Sequence, residues 1–240
     1  REIRELREIS RYRIKPVAMR TSERNRYQNA MTVSNIGLAS ILSDPFGKSS
    51  KAIMEEVLKS SSLSEGKIRS LLNKSAKKKA KEVFASLEGS RIEPDQRLKM
   101  TVSSEHMNQI DSHIDTLELD LVQRCLPYAN LINLLIDIPG ISYISAIAVI
   151  AEIGIDMSVF KSSKQLTCWA GLAPANNESA NKKKSVRISR AGTYLKPLLI
   201  QCALSAIKST SNPYYRIKYN IIKKRRGHKK AIVADRKSVV

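Results

Sequence analysis

Acidic residues, aromatics and cysteines are all scarce in this chain of 240 residues. Aspartate and glutamate number 22 against 42 lysines and arginines, which leaves a formal charge of +20 and a pI near 10.0. Solubility does not need so large an excess of one sign. It points to a polyanionic partner, most simply nucleic acid, held by phosphate contacts and counterion release. The competing class, a basic protein of the membrane surface, lacks its usual features. There is no terminal amphipathic helix rich in Trp or Phe, no lipidation motif and no apolar run of membrane-spanning length. Aromatics make up 5% of the chain, with a single Trp. The three cysteines, Cys125, Cys168 and Cys202, are far apart and set in apolar helical patterns. That spacing excludes a disulfide framework and a CxxC metal pair, and all three are expected as reduced core residues in a cytosolic protein. A secretory signal is missing, and so is an initiator Met. The opening REIRELREISRYR falls in the middle of a helical charge pattern, so the chain reads as a fragment. The closing DRKSVV back-translates as GAT CGG AAG AGC GTC GTG, a common sequencing-adaptor read. Residues 235–240 are therefore expected to be read-through, with protein sequence stopping at Ala234.

Strand patterns are nearly absent too, so the expected class is all-α. Hydrophobic residues at 42% are enough for a real core in one large domain or two smaller ones. Residues 1–35 alternate Arg and Glu around Ile3, Leu6, Ile9, Tyr12 and Val17. This predicts a helix with i,i+3 and i,i+4 charge pairs, interrupted or kinked near Pro16. Residues 36–128 read as a helical linker and coiled-coil region, with turns at Asp44-Pro45 and around residues 60–62 and a basic stretch KSAKKKAK. From Met100 a heptad emerges through Met107, Ile114, Leu121 and Tyr128 at one seam position and Ser103, Ile110, Leu117 and Arg124 at the other. Its clean part covers 107–121, and it fits either a bundle helix within the monomer or a coiled coil between subunits. Asp111, Asp115, Glu118 and Asp120 on the polar face read as solvated charges. His106 and His113, seven apart on that helix, read as exposed, and no metal site is expected.

Residues 129–234 form the next segment. LINLLIDIPG followed by ISYISAIAVIAEIG is a helix, a Pro-Gly turn and a second helix, the helix-hairpin-helix pattern. Pro139 and Gly140 would let the chain reverse and bare backbone N–H groups ahead of the second helix, beside Ser142. Those groups and the helix dipole favour a phosphate. An ordinary αα-hairpin with a buried second helix fits the same residues. SSKQLTCWAG predicts a further helix capped by Ser162 or Ser163 and ended by Gly171. NPYYRIKYNIIKKRRG has an Asn cap, Pro at the first helical position and a stop at Gly227.

From Leu172 onward, seventeen basic residues face only Glu178 and Asp235. They include Lys182, Lys183, Lys184, Arg187 and Arg190, then Lys223, Lys224, Arg225, Arg226, Lys229 and Lys230, with His228 after Gly227 as a further phosphate contact. Tyr214, Tyr215 and Tyr219 are interleaved, either to stack on bases or as half-buried helix residues.

These motifs, taken in order, carry a resemblance. IPGISYISAIAVIAEIG, FKSSKQLTCWAGLAP, NESANKKKSVRISRAGTYLKPLLIQCA and NPYYRIKYNIIKKRRGHKKAIVA resemble the C-terminal domain of the IS110 family of bacterial insertion-sequence transposases, relatives of the Piv-type DNA invertases. The similarity runs from about Leu131 to Ala234. It implies a DNA transposase with an N-terminal RuvC-like domain, absent here, whose DEDD carboxylates hold Mg²⁺. It also implies a serine that joins covalently to DNA and a structured bridge RNA that selects the sites. Partners would be DNA, that RNA and further copies of the chain as a dimer or tetramer, in the bacterial cytoplasm at the nucleoid. The alternative is a non-catalytic helix-hairpin-helix protein that binds DNA or RNA. By position the family's serine falls on Ser179, with Ala180 where Gly is usual. Ser185 and Ser189 are nearby rivals, and Ser189 is expected to cap the next helix. A serine among Lys182, Lys183, Lys184, Arg187 and Arg190 suits attack on a phosphodiester, because the cations would neutralise the phosphate. No His or Cys adjoins it as a base.

Overall fold

A computed structural model describes residues 1–60, 63–173, 178–179, 182–183, 192–209 and 212–236, with backbone only at 178, 179, 182, 183, 233, 235 and 236. The chain is all-α. In order, the helices are α1 (Glu2–Val33), α2 (Leu38–Ile41), α3 (Lys48–Lys59), α4 (Glu65–Leu71), α5 (Ala80–Glu88), α6 (Pro94–Arg124), α7 (Ala129–Ile136), α8 (Tyr143–Ile153) and α9 (Ser163–Trp169). A two-residue antiparallel pair follows, β1 (Glu178–Ser179) with β2 (Lys182–Lys183), then α10 (Leu195–Ala206), α11 (Pro213–Arg226) and α12 (His228–Arg236). Two compact units result. One comprises Ile14–Asp115; the other joins Arg1–Arg13 to Thr116–Val240.

In the unit of residues 14–115, Tyr27, Met31, Leu38, Ile53, Met54, Ile68, Val83, Met100 and Met107 form the core. Here Met100 and Met107 of the heptad seam share their core with Tyr27 and Met31 of α1. Ser103 donates to the Glu23 carboxylate at 3.0 Å, His106 lies 3.1 Å from its other oxygen, and Arg20 pairs with Asp111 at 2.9 Å. Glu23 is thus a buried charge with its partners in place. Burial raises its carboxyl, but Ser103, Arg26 and His106 outweigh that and hold it below its usual range. His106 is therefore part of a helix-to-helix bond and not the exposed residue expected.

In the other unit the start of α1 lies along the end of α6 and on α8. Leu6 and Leu121 are buried in the core that contains Ile132, Ile147, Ile150, Leu199 and Cys202. Fully burying a side chain such as Ile147 contributes about 2 kcal/mol. The arginines of α1 have tertiary work here. Arg7 donates to the Ala151 carbonyl at 2.7 Å, at the C-terminal end of α8 where carbonyls lack helical partners. Arg11 grips Glu152 through two nitrogens at 2.7 and 2.9 Å, and Arg13 donates to Glu118. Only Arg1 and Glu5 make the i,i+4 pair that the alternating pattern predicted along this first stretch of α1. Pro16 does not interrupt the helix, which runs unbroken from Glu2 to Val33. Cysteine burial is also corrected: Cys125 and Cys202 lie in the core, whereas Cys168 is exposed on α9. An apolar sequence neighbourhood does not say which side of a short helix a residue faces.

Candidate nucleic-acid interface and serine hairpin

The Pro-Gly turn joins α7 to α8, and its glycine is needed for two reasons. Gly140 has φ +91°, and a Cβ on it would lie 2.3 Å from the Cys202 carbonyl oxygen and 2.6 Å from the Ala206 nitrogen of α10. The turn is therefore pressed directly onto the backbone of α10. Ser142 caps α8 by accepting from the Ser145 N–H at 3.3 Å, and the two hydroxyls are 2.9 Å apart. Beneath them, burial pushes the Cys202 thiol up, with the Ser145 hydroxyl opposing. Pro139 and Gly140 are only partly exposed. No Lys or Arg occurs between Arg124 and Lys161, while Asp137, Glu152 and Asp156 do. Beside this hairpin runs an apolar groove of about 250 Å³ lined by Leu131, Leu134, Ile153, Ile155, Met157 and Leu166. A phosphate approaching Pro139, Gly140 and Ser142 would find backbone donors but no cation from this hairpin. The geometry accounts for the Pro-Gly pair by packing.

The loop after α9 is closed at its neck. Ser162 caps α9, accepting from the Gln165 N–H at 3.3 Å, and Gly171 ends it with φ +67°. Gly192 has φ +71° and presses on Ala170, where an added Cβ would meet the carbonyl oxygen at 2.2 Å. The two ends of the segment that carries Ser179 are thus held together on one side of the fold. Within that segment the backbone of Glu178 is in register with Lys183 and that of Ser179 with Lys182 in an antiparallel pair. The backbone of Ser179 is therefore directly across from a lysine. Lys184, Ser185, Arg187, Ser189 and Arg190 lie outside the described residues. The helix beyond them begins only at Leu195, with Tyr194 in the capping position, so Ser189 is not its cap.

The C-terminal helices form the second candidate region. Asn212 caps α11 by accepting from the Tyr214 N–H at 3.1 Å, Pro213 opens it, and Gly227 stops it with φ +80°. A one-residue link then starts α12. Tyr219, Ala231 and Ile232 pack together with Ile200, Leu204 and Ile222, which fixes α11 and α12 on α10. The Tyr219 hydroxyl and His228 Nδ1 share a hydrogen bond of 2.6 Å, and the Lys223 ammonium lies 5.5 Å from the Tyr219 ring centre. His228 is therefore tied to the helix before it. Lys223, Lys224, Arg225, Arg226, Lys229 and Lys230 are all exposed. No described carboxylate forms an ion pair with any of the six. Like charges crowded around Gly227 raise the local potential and attract a polyanion. Among the described residues no three His, Cys, Asp or Glu side chains are grouped to hold a metal ion. No described helix is long and apolar enough to cross a membrane.

Residues 132–220, which include the Pro-Gly turn, the Ser179 hairpin and half of α11, match the model of the transposase IS116/IS110/IS902 family. That stretch is similar to the transposase domain of this family. The transposase for insertion sequence element IS1111A of Coxiella burnetii (strain RSA 493 / Nine Mile phase I) is 37% identical over 76 residues. That match covers 31% of this chain and 21% of the relative, so the chain spans about a fifth of the curated relative's length. The cationic residue types of this region are plain in the sequence. The packing at Gly140 and Gly192 is not legible there, nor is which tyrosine faces outward. Those depend on α10 and α9, far away in sequence.

Proposed function

We propose that this chain is part of an insertion-sequence transposase in which Ser179 is the nucleophile. Its hydroxyl attacks a DNA phosphodiester: a bond forms between the serine oxygen and phosphorus, the bond from phosphorus to one sugar oxygen breaks, and that oxygen takes up a proton. Attack by another strand end on the serine–phosphate linkage rejoins DNA and restores the serine. Lys182, Lys183 and Lys184, with Arg187 and Arg190, neutralise the phosphate, while Lys223–Arg226, His228, Lys229 and Lys230 hold the backbone of the nucleic acid. The observation that carries this reading is the register that sets Ser179 opposite Lys182 inside the segment matching the transposase family.

An unaided serine hydroxyl is a weak nucleophile and needs activation. In this proposal a RuvC-like domain supplies it through Mg²⁺ on four carboxylates. The described residues include no such carboxylate set, so no step is assigned to the metal. A bridge-type RNA would choose the DNA sites, and copies of the protein would act together as a dimer or tetramer.

The test is Ser179→Ala in a complete transposase that contains this segment. The variant should bind DNA and RNA as wild type does but form no covalent protein–DNA adduct and no recombinant product. Recombination at the normal rate would remove Ser179 from this role.

A further inference from the structure

The three tyrosines of α11 do not behave alike. Tyr215 and Tyr219 are buried, Tyr215 in the main core and Tyr219 against α12. Tyr214 is 56% exposed, and Ile217 and Ile221 are 55% and 53% exposed. At helical spacing, 214, 217 and 221 lie along one stripe, and Lys218, Lys224 and Arg225 fall on the same side. The Lys218 ammonium is 5.5 Å from the Tyr214 ring centre, and the Tyr215 ring meets it edge-on with centroids 5.4 Å apart. Lys218 and Tyr215 thus hold an exposed aromatic ring in place on a cationic helix.

A partner for this face must match apolar and aromatic surface and, within the same few ångströms, positive charge. Duplex nucleic acid offers its phosphates, but its base faces are stacked on one another. A strand with unpaired bases offers both phosphates and open ring faces, and base–aromatic stacking does not depend on sequence. We infer that the exposed stripe of α11 binds nucleic acid with unpaired bases, Tyr214 stacking on one base while Ile217 and Ile221 contact the neighbouring nucleotides and Lys224 and Arg225 the phosphates. This inference rests on the reading of the C-terminal helices as a nucleic-acid surface and narrows it to strands that are open where they touch α11.

The experiment measures binding of the 240-residue chain to a fluorescent twelve-nucleotide single strand, as DNA and as RNA, and to the duplex of the same sequence, at low salt. Tyr214→Ala should lose about tenfold in affinity for the single strands and change duplex binding by less than about twofold, beside the full effect expected for one stacked base. Tyr214→Phe should keep single-strand affinity, because it keeps the ring. Circular dichroism of the variants reports whether α11 still forms. Equal losses on single strand and duplex, or no loss on either, would overturn the inference while leaving a nucleic-acid surface standing. If the wild-type chain binds no nucleic acid at low salt, the broader reading fails. Binding of an acidic amphipathic peptide that Tyr214→Ala abolishes, in place of single-strand binding, would also overturn the inference.

Discussion

Two helical hairpins in the same unit are built on glycines with similar backbone angles and opposite surroundings. Gly140 joins α7 to α8 at φ +91° with the backbone of α10 against it; Gly227 joins α11 to α12 at φ +80° with nothing within 4 Å of where a Cβ would lie. The first hairpin belongs to a stretch without lysine or arginine, and the second holds six exposed cations around its turn. A glycine between two helices therefore has no single meaning. In one hairpin it makes room for another helix, and in the other it turns the chain where solvent and charge meet. The Pro-Gly turn thus has packing work to do, while the exposed cations gather at the helix pair beyond.

The sharpest way to break this contrast is to add a methyl group to each glycine. Gly140→Ala combines strain at positive φ with a backbone clash and should cost about 3 kcal/mol or more, read as the shift in urea unfolding of the chain. Gly227→Ala meets open space and should cost only its conformational strain, about 1–2 kcal/mol. Equal costs would erase the distinction between the packed and the open turn.

A somewhat smaller effect is expected from the charges. Changing Lys224, Arg225, Lys229 and Lys230 together to Gln should weaken low-salt nucleic-acid binding about a hundredfold and flatten its salt dependence by about three contacts' worth. Changing Asp137 and Asp156 to Asn in the cation-free hairpin should leave affinity within about twofold. An affinity that follows the second pair and not the first would return the contact to the Pro-Gly turn.

The smallest of these effects concerns how the oily hairpin is anchored. Arg11→Ala removes both bonds to Glu152, whose side chain is largely buried, as well as the contact of Arg11 with the Tyr194 ring at 4.4 Å. Hydrogen bonding to that carboxylate, ahead of the counteracting burial, raises the Arg11 guanidinium above its ordinary value. The variant should lose about 1–2 kcal/mol in the same urea unfolding experiment. Nucleic-acid affinity should stay near wild type, because this cation is committed to the fold.

How much of this was legible in the sequence depends on the range of the signal. Signals confined to a few residues read true: Ser162 caps α9, Asn212 and Pro213 open α11, and Gly227 ends it. Caps and stops act on their nearest neighbours, so no distant partner is needed to recognise them. The arginines of α1 read as local helix pairs because their real partners, Ala151, Glu152 and Glu118, are more than a hundred positions away. Pro16 was expected to interrupt or kink the helix, and the helix continues past it. For the candidate site, the cationic positions and the serine were legible as residue types. Which side of α11 each tyrosine occupies was not, since Tyr214, Tyr215 and Tyr219 look equally apt until α10 and α12 bury two of them.

One consequence follows from the joined neck at Ala170 and Gly192. At Gly192 the chain comes back so close to the end of α9 that a Cβ would meet the Ala170 carbonyl oxygen at 2.2 Å. Any larger residue would have to push that junction apart, and the positive φ of +71° adds strain of its own, so the position admits glycine alone.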